Sequence, residues 1–510
     1  MSAPARAHRR DRSGRAATIR QLPFGPVRNP YRPIEPVSLD QLEAIHRASL
    51  RLLAEVGVEV LHEESRLILR RAGAEVDRST LRVRCAPEMI EAAVALAPPS
   101  FTIHARDPRK NIEVGADRLV FSSVGGPAFG NDLDRGRRAG TYADMCDYIK
   151  LVQSLNVVHQ EGGGPIEPTD LPSESRHLDF YEAALTLTDK SWQCWALGGY
   201  RVRDAIDMIA IAYGVPRTEM DRHVRAITVI NSNSPLRLDG PMGEGLVELA
   251  RSGQATILTP FTLAGAMSPV TLVGAIAQQN AEALFMIALA QLTRPGAAVV
   301  YGGFTSNVDM RSGAPAFGTP EYTKAAMVSG QLARRYRLPF RSSNVTSANC
   351  VDVQAAYESQ MSLWGAIMGG ANILLHCAGW LEGGLTASFE KLIVDAEMLQ
   401  MMSEFLRGFD ATKLDEAMAA VAEVGPGGHF FGVGHTLERF ETAFYSPLLS
   451  DWRNFETWQE AGAIDATRRA NAIWKELLLS YQQPAMDSDV RSELRAYVAR
   501  RKREISAGKL

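Results

Sequence analysis

Eight short apolar runs, alternating with stretches of helical character, fill the middle of this 510-residue chain and hold it to an α/β fold. They are Leu119–Ser122, Val157–Gln160, Trp192–Leu197, Ala226–Ile230, Ala255–Thr259, Ala298–Tyr301, Pro339–Ser342 and Ile373–His376. Runs of this kind read as strands buried on both faces, the condition of a parallel sheet covered by helices. Between them lie helical stretches such as Gly274–Leu292, Glu321–Arg335 and Asp352–Met368. Eight such units, over a length near the roughly 250 residues typical of the fold, predict a TIM-type (β/α)8 barrel spanning residues 118–405. The barrel class puts its chemistry at the C-terminal strand ends. The last run fits that: Asn372-Ile373-Leu374-Leu375 empties into a loop carrying His376, Trp380 and Glu382 among small residues.

The flanks read differently. Ser38-Leu39-Asp40-Gln41 has the form of a capping box, and Leu42, Ile45, Ala48, Leu52, Leu53 and Val56 mark one helical face that Gly57 ends. Residues 38–117 are therefore expected to form a small α+β lead-in. Residues 1–37 read as a disordered basic arm, with Arg6, His8, Arg9, Arg10, Arg12, Arg15, Arg20 and Arg28 among Ala, Ser, Gly and Pro. The arm has no apolar core of a secretory signal. Residues 406–510 predict a helical extension that wraps the barrel or makes a subunit contact, and the chain is expected to be a homo-oligomer.

Composition narrows function by exclusion. A net charge of −3 and a pI of about 6.4 give no reason to expect nucleic acid or an anionic membrane as partner. No apolar run of about 18 residues predicts a membrane span. Five scattered cysteines without a CxxC pair argue against a disulfide framework and a structural zinc, and place the chain by default in the cytoplasm. There is no Walker loop, no GxGxxG between strand and helix, no HExxH and no GxSxG elbow. The expectation is a barrel with no metal and no tightly held cofactor of its own.

The strand ends share a chemistry. They carry Glu161, Asn231, Phe261, Tyr301, Phe304, Arg341, Asn344, His376, Trp380 and Glu382, with glycines at 162–164 and 302–303. Glycine admits close backbone approach, and aromatics beside carboxylates suit an organic cation. Gathered at one mouth, these side chains would make a pocket for a small molecule.

Long strings of the chain also resemble the trimethylamine methyltransferase (MttB-like) family. The likeness is carried by GQATILTPFTLAGAMSPVTLVGAIAQQNAEAL, VVYGGFTSNVDMRSGAPAFGTPEY, DVQAAYESQMSLWGAIMGGANILLHCAGWLEGGLTASFEKLIVDAEML and EVGPGGHFFGVGHTLERFETAFY, and runs from about Leu39 to the C-terminus. The resemblance implies a TIM-barrel methyltransferase that passes a methyl group from a methylated amine to the cobalt of a separate corrinoid protein, which supplies the corrinoid (cobalamin) chemistry. Archaeal trimethylamine enzymes of the family carry pyrrolysine at the end of a late strand. The matching region here, Phe340-Arg-Ser-Ser-Asn-Val-Thr-Ser347, holds only standard residues, with Asn344 or a neighbour in that place. That resembles the branch of glycine betaine:corrinoid methyltransferases. A quaternary ammonium leaves as a neutral amine and needs no general acid, so a pocket without the special residue suits betaines.

On this reading Phe261, Tyr301, Phe304 and Trp380 form an aromatic cage around the N-methyl groups. Glu161 and Glu382 balance the cation. His376, Asn231 or Asn344 hold a carboxylate, with Arg341 as an alternative clamp if it faces inward. Asn344, His376 and Glu382 are the catalytic candidates. The rival readings are a trimethylamine enzyme without pyrrolysine, a barrel lyase and a betaine-binding protein.

Overall fold

The computed structural model describes residues 19–509, a mixed α/β fold built on parallel strands. Its strands are β1 (Arg118–Phe121), β2 (Gln160–Glu161), β3 (Ser191–Trp192), β4 (Ile227–Ile230), β5 (Ala255–Leu258), β6 (Val299–Gly302), β7 (Phe340–Ser343) and β8 (Ile373–Leu375). All eight overlap apolar runs of the sequence, β2 and β3 by one residue each, Gln160 and Trp192. Each is followed by a helix: α1 (Tyr142–Ser154), α2 (Arg176–Leu187), α3 (Gly199–Tyr213), α4 (Gly240–Arg251), α5 (Leu272–Thr293), α6 (Pro320–Arg335), α7 (Val353–Met368) and α8 (Phe389–Phe405).

Six strands form one continuous parallel array in the order β4-β5-β6-β7-β8-β1. β2 and β3 pair with each other, and single parallel bridges, Ser122–Gln160 and Gln193–Ile227, join that pair to β1 and β4. Side chains alternate along each strand, as the two-residue period requires. Val120, Ile227, Ile257, Val300, Ile373 and Leu375 pack on one face with Ile103, Ile112 and Val114 of the hairpin Ser100–Ile103/Ile112–Gly115. Leu119, Phe121, Leu258, Val299, Tyr301, Phe340 and Leu374 pack on the other, in the main hydrophobic cluster. Helix α5 has the length and composition of a membrane span, but 83% of its apolar window is buried inside the molecule. It is a core helix.

The lead-in opens as its sequence predicts. Ser38 accepts the Gln41 N–H while the Gln41 side chain accepts the Ser38 N–H, which starts the helix Leu39–Arg51. The helix runs on through a π turn, Leu52–Val56, which Gly57 ends at φ +76°, where a Cβ would lie 2.5 Å from the Val83 carbonyl oxygen. Behind it, Val58–Val60, Glu75–Val76 and Arg82–Arg84 make a small sheet that also takes in Arg237–Leu238 from the loop after β4.

The arm departs from expectation. Residues 1–18 of it lie outside the described residues, but residues 19–37 are extended chain docked on the body. Val27–Arg28 pairs antiparallel with β1. Leu22 N–H donates to Gln400 Oε1 at 2.7 Å, Asn29 Nδ2 to the Ile367 carbonyl at 2.9 Å and Ile34 N–H to the Met368 carbonyl at 2.7 Å. The Phe24 ring lies edge-on to His159, 5.5 Å between centroids, and 5.6 Å from the Lys190 ammonium. Lys190 is buried and donates to the carbonyls of Val152, Leu155 and Val158. Average composition concealed this, because the arginine-rich first half of the arm masks Leu22, Phe24, Val27 and Ile34 in the second.

The extension after α8 also divides. Helices Ala466–Leu479 and Ser488–Ser506 lie against the body: Trp474 Nε1 donates to Glu390 of α8, and Tyr497 and Arg501 bond Asp204 of α3. Residues 407–465 form a long, mostly exposed arm.

Deleting residues 1–37 is expected to cost at least ~2 kcal/mol, since several backbone hydrogen bonds at about 1 kcal/mol each are lost and Lys190 opens to water. Thermal unfolding of the truncated chain checks this. An unchanged melting temperature would show that the segment contributes nothing to the folded body.

Candidate active site

At the C-terminal ends of the strands a cavity of about 610 Å³ opens, within the range of small-molecule sites. Residues in or following all eight strands reach it, among them Gly125, Gly163, Trp195, Asn231, Thr259, Phe304, Arg341 and His376.

Strand parity decides which side chains enter. In β7, Phe340 packs with the helices, so Arg341 points the opposite way, into the cavity. Its register partner is Gly302, where a Cβ would lie 1.9 Å from Thr259 Oγ1. Parity also explains why Tyr301, expected in the aromatic cage, is absent from the cavity. It is the register partner of Phe340 and packs on the helix side, donating its hydroxyl to Asn280 Oδ1 at 2.9 Å.

The remaining cage candidates converge. Phe261 and Phe304 start two short strands, Phe261–Ala264 and Phe304–Val308, paired in register with ring centroids 5.2 Å apart. Trp380 lies 6.3 Å from Phe304, with its indole N–H held by the Thr346 carbonyl at 3.0 Å. Gly384, at φ +98°, makes room for that indole, since a Cβ there would meet the ring at 2.5 Å. Phe317 completes the wall, 5.7 Å from Phe304 and 6.0 Å from Trp380. Sequence reasoning missed Phe317, which follows the two-residue strand Pro315–Ala316, hairpin partner of Phe304–Val308, and lies away from the ends of β1–β8. It also missed Trp195, which lines the cavity with its indole N–H on the Gly163 carbonyl at 2.8 Å.

The charges are unbalanced. The charged side chains lining the cavity are Glu167, Arg176, Arg201 and Arg341. Arg176 is ion-paired with Glu167, and Arg201 donates to the Leu197 carbonyl. Arg341 is only 2% exposed, yet its Nε and Nη1 have no hydrogen-bond partner. Its guanidinium sits 5.0 Å from the centre of the Phe304 ring. Burial pushes its pKa down to about 10, so it stays protonated at neutral pH. Around it are further unpartnered groups, His376 Nδ1 and Thr259 Oγ1. His376 is held at φ +55°, its ring centroid 4.5 Å from that of Trp380 and tilted 46° to it. Burial, and then the neighbouring Arg341 charge, hold its pKa well below the ordinary value, so the imidazole is neutral.

The other expected site residues stand behind this lining. Asn344 is buried, donating to the Cys377 carbonyl at 3.0 Å and to Asp395 at 3.2 Å. Asp395, ion-paired with Lys391, also accepts the Gly379 N–H at 2.8 Å and so fixes the loop that carries His376 and Trp380. Glu382 is engaged by Arg137 at 2.8 Å and does not reach the cavity. Glu161 is fully buried behind the glycine loop, accepting N–H from Gly163 at 3.0 Å and Gly164 at 2.9 Å. Burial raises its pKa to about 8, against the lowering effect of those N–H groups, so the carboxyl is mostly protonated at pH 7. Of the ten strand-end residues expected at one mouth, Asn231, Phe261, Phe304, Arg341, His376 and Trp380 line the cavity; Glu161, Tyr301, Asn344 and Glu382 do not.

Comparison with known proteins identifies the family. The family model for trimethylamine methyltransferase (MTTB) matches residues 3–506. The chain is 36% identical over 467 residues to glycine betaine methyltransferase of Desulfitobacterium hafniense (strain Y51), covering 91% of this chain and 97% of that protein. It is 28% identical to trimethylamine methyltransferase MttB2 of Methanosarcina mazei, covering 92% and 95%. It is 27% identical to trimethylamine methyltransferase MttB of Desulfitobacterium hafniense (strain DSM 10664 / DCB-2), covering 90% and 92%. The chain belongs to the trimethylamine methyltransferase family and is a methyltransferase.

Glu161 gives a pH test. Its raised pKa means that the folded state keeps a proton the unfolded chain releases near pH 4.5. Stability linked to this group is therefore full below about 4.5, falls as pH rises and levels off above about 8. Glu161→Gln should melt increasingly higher than the wild type across that window. A difference independent of pH would mean that Glu161 is ionised throughout.

Proposed function

We propose that the chain moves a methyl group from a carboxylate-bearing quaternary amine, with glycine betaine as the simplest case, to the Co(I) of a separate corrinoid protein. The observation that carries this reading is Arg341: a buried, unpaired guanidinium beside an aromatic wall. A bare methylammonium would meet net positive charge there. A zwitterion would place its carboxylate on Arg341 and its N-methyl groups against Phe261, Phe304, Phe317 and Trp380. A desolvated cation–π contact of this type contributes roughly 2 kcal/mol.

We also take the eight strands as a closed (β/α)8 barrel, a reading supported by the single bridges at both seams of β2 and β3. The cavity then sits at the mouth, where a partner's corrinoid can approach the methyl group. The reaction is an in-line displacement. The Co(I) electron pair forms the bond to carbon as the C–N pair returns to nitrogen, and dimethylglycine leaves as a neutral amine. No proton need be supplied, which suits a site whose imidazole is neutral. The residues named here bind and align: Arg341, His376 and Thr259 at the carboxylate end, the aromatic wall at the methyl end. Asn231 lies in the lining within reach of the substrate, while Asn344, Glu161 and Glu382 hold the loops. Alignment of this kind is the main contribution a protein can make to such a transfer.

The test is methylation of cob(I)alamin, followed by absorbance, with glycine betaine, choline and trimethylamine as donors. Glycine betaine should turn over, and the other two should be slow. Arg341→Met should lose 30-fold or more in kcat/KM for the betaine, because truncating one partner of a buried charge pair costs about 2–5 kcal/mol. Trp380→Ala should lose roughly 5- to 30-fold and Trp380→Phe less. Turnover of trimethylamine with none of glycine betaine would reverse the substrate assignment.

A further inference from the structure

Phe317 and Trp380 reach the aromatic wall from different loops, yet both are tied to one short segment. After β7 the chain runs through Thr346, Ser347 and Ala348 with no regular secondary structure. The Thr346 carbonyl accepts the Trp380 indole N–H at 3.0 Å and the Gly383 backbone N–H at 3.1 Å. The Ser347 hydroxyl accepts the Phe317 N–H at 2.7 Å, and the Ala348 carbonyl accepts the Glu382 N–H at 2.9 Å. Phe317, Trp380 and Gly383 all line the cavity. The wall is placed only as well as this segment is.

The segment is anchored by Glu358, on helix α7. Its Oε2 accepts the Thr346 hydroxyl and the Ser347 N–H, the latter at 2.8 Å. Its Oε1 accepts the side-chain amide of Gln354, one turn earlier, at 2.9 Å. Thr346 Oγ1 in turn accepts the Ala348 N–H at 3.0 Å. The loop of Phe317 packs against the same side chain: Gly318 is held at φ +71°, and a Cβ there would clash with Glu358 Cβ. These three donors are neutral, so what the carboxylate supplies is acceptor capacity at two oxygens.

We propose that Glu358 is a positioning residue for the methyl end of the substrate. By fixing Thr346 and Ser347 it turns the faces of Trp380 and Phe317 toward the quaternary ammonium, and so sets the preference for a cation over a neutral group of the same shape. This rests on the quaternary-amine reading above. A cation–π contact requires the charge over the ring face, whereas dispersion with a neutral tert-butyl group survives a tilted ring. Loss of the anchor therefore acts on the preference more than on binding as such.

The test compares the wild type with Glu358→Ala, Glu358→Gln and Thr346→Val by calorimetric binding of glycine betaine and its carbon isostere 3,3-dimethylbutyrate. Glu358→Ala should cut the preference for glycine betaine from about tenfold to about threefold or less, because rings that lose their orientation forfeit the cation–π contact first. Thr346→Val removes one tethered donor and keeps the backbone carbonyl, and should lose part of the same preference. Glu358→Gln should keep it, since the amide oxygen still accepts from Thr346 and Ser347 while its nitrogen donates to a turned Gln354. That rescue separates placement from charge: a glutamine variant that loses as much as alanine would overturn the proposal. So would an alanine variant that keeps the preference of a discriminating wild type, whatever its melting temperature. Should the alanine variant fail to fold, Thr346→Val decides by the same two results. Hydrogen exchange gives a check without ligand. Peptides containing the Phe317 and Gly383 amides should exchange faster in Glu358→Ala, and those of α5 should not; equal rates would overturn the anchoring. A wild type with no preference would instead defeat the substrate reading, and this inference with it.

Discussion

Burying a guanidinium away from any carboxylate costs several kcal/mol, and a fold keeps such a group only where other interactions hold it in place. Arg341 is that group here. Its position follows from β7, where the two-residue alternation that sends Phe340 to the helices sends Arg341 the other way. Its register partner is Gly302, where a Cβ would clash with the Thr259 hydroxyl, and Phe304 lies 5.0 Å from its charge. The polar groups beside it, His376 and Thr259, are likewise left without partners. A site arranged this way is poor at stabilising its own empty state and well suited to an anion that brings a cation with it.

Rigidity comes from behind the lining. Buried Asp395, paired with Lys391, ties Asn344 to the backbone of Gly379. Gly379 could not be any other residue, because a Cβ there would overlap the Tyr148 hydroxyl. Trp380 is then fixed at one end by this loop and at the other by the Thr346 carbonyl. The aromatic wall is thus preorganised, which lowers the ordering cost of binding.

Much of this was legible in the sequence. Strands β4, β5, β6 and β8 were visible because they are buried on both faces and largely apolar, whereas β2 (Gln160–Glu161) and β3 (Ser191–Trp192) share only one residue each with the runs that pointed to them; the run ends pointed to Asn231, Phe261, Phe304, His376 and Trp380 in the lining. Arg341 needed one further condition, an inward-facing side chain, which strand parity supplies. The same parity excludes Tyr301. Glu161, Asn344 and Glu382 were harder, because a polar residue at a strand end can hold a loop as readily as a ligand, and only tertiary hydrogen bonds distinguish the two. Phe317 and Trp195 had no local signal. Phe317 enters from a loop after a hairpin, and Trp195 looked like the continuation of an apolar strand that in fact ends at Trp192.

The most direct measurement of the central claim is calorimetric binding of three ligands to the wild-type chain without corrinoid. Glycine betaine carries both charges, choline lacks the carboxylate, and 3,3-dimethylbutyrate keeps the carboxylate with carbon in place of nitrogen. If Arg341 and the aromatic wall act together, glycine betaine binds at least about tenfold more tightly than either, a gap of ~1.4 kcal/mol. Choline binding as tightly as glycine betaine would contradict the account, because the unpaired guanidinium would then have no part in recognising the substrate.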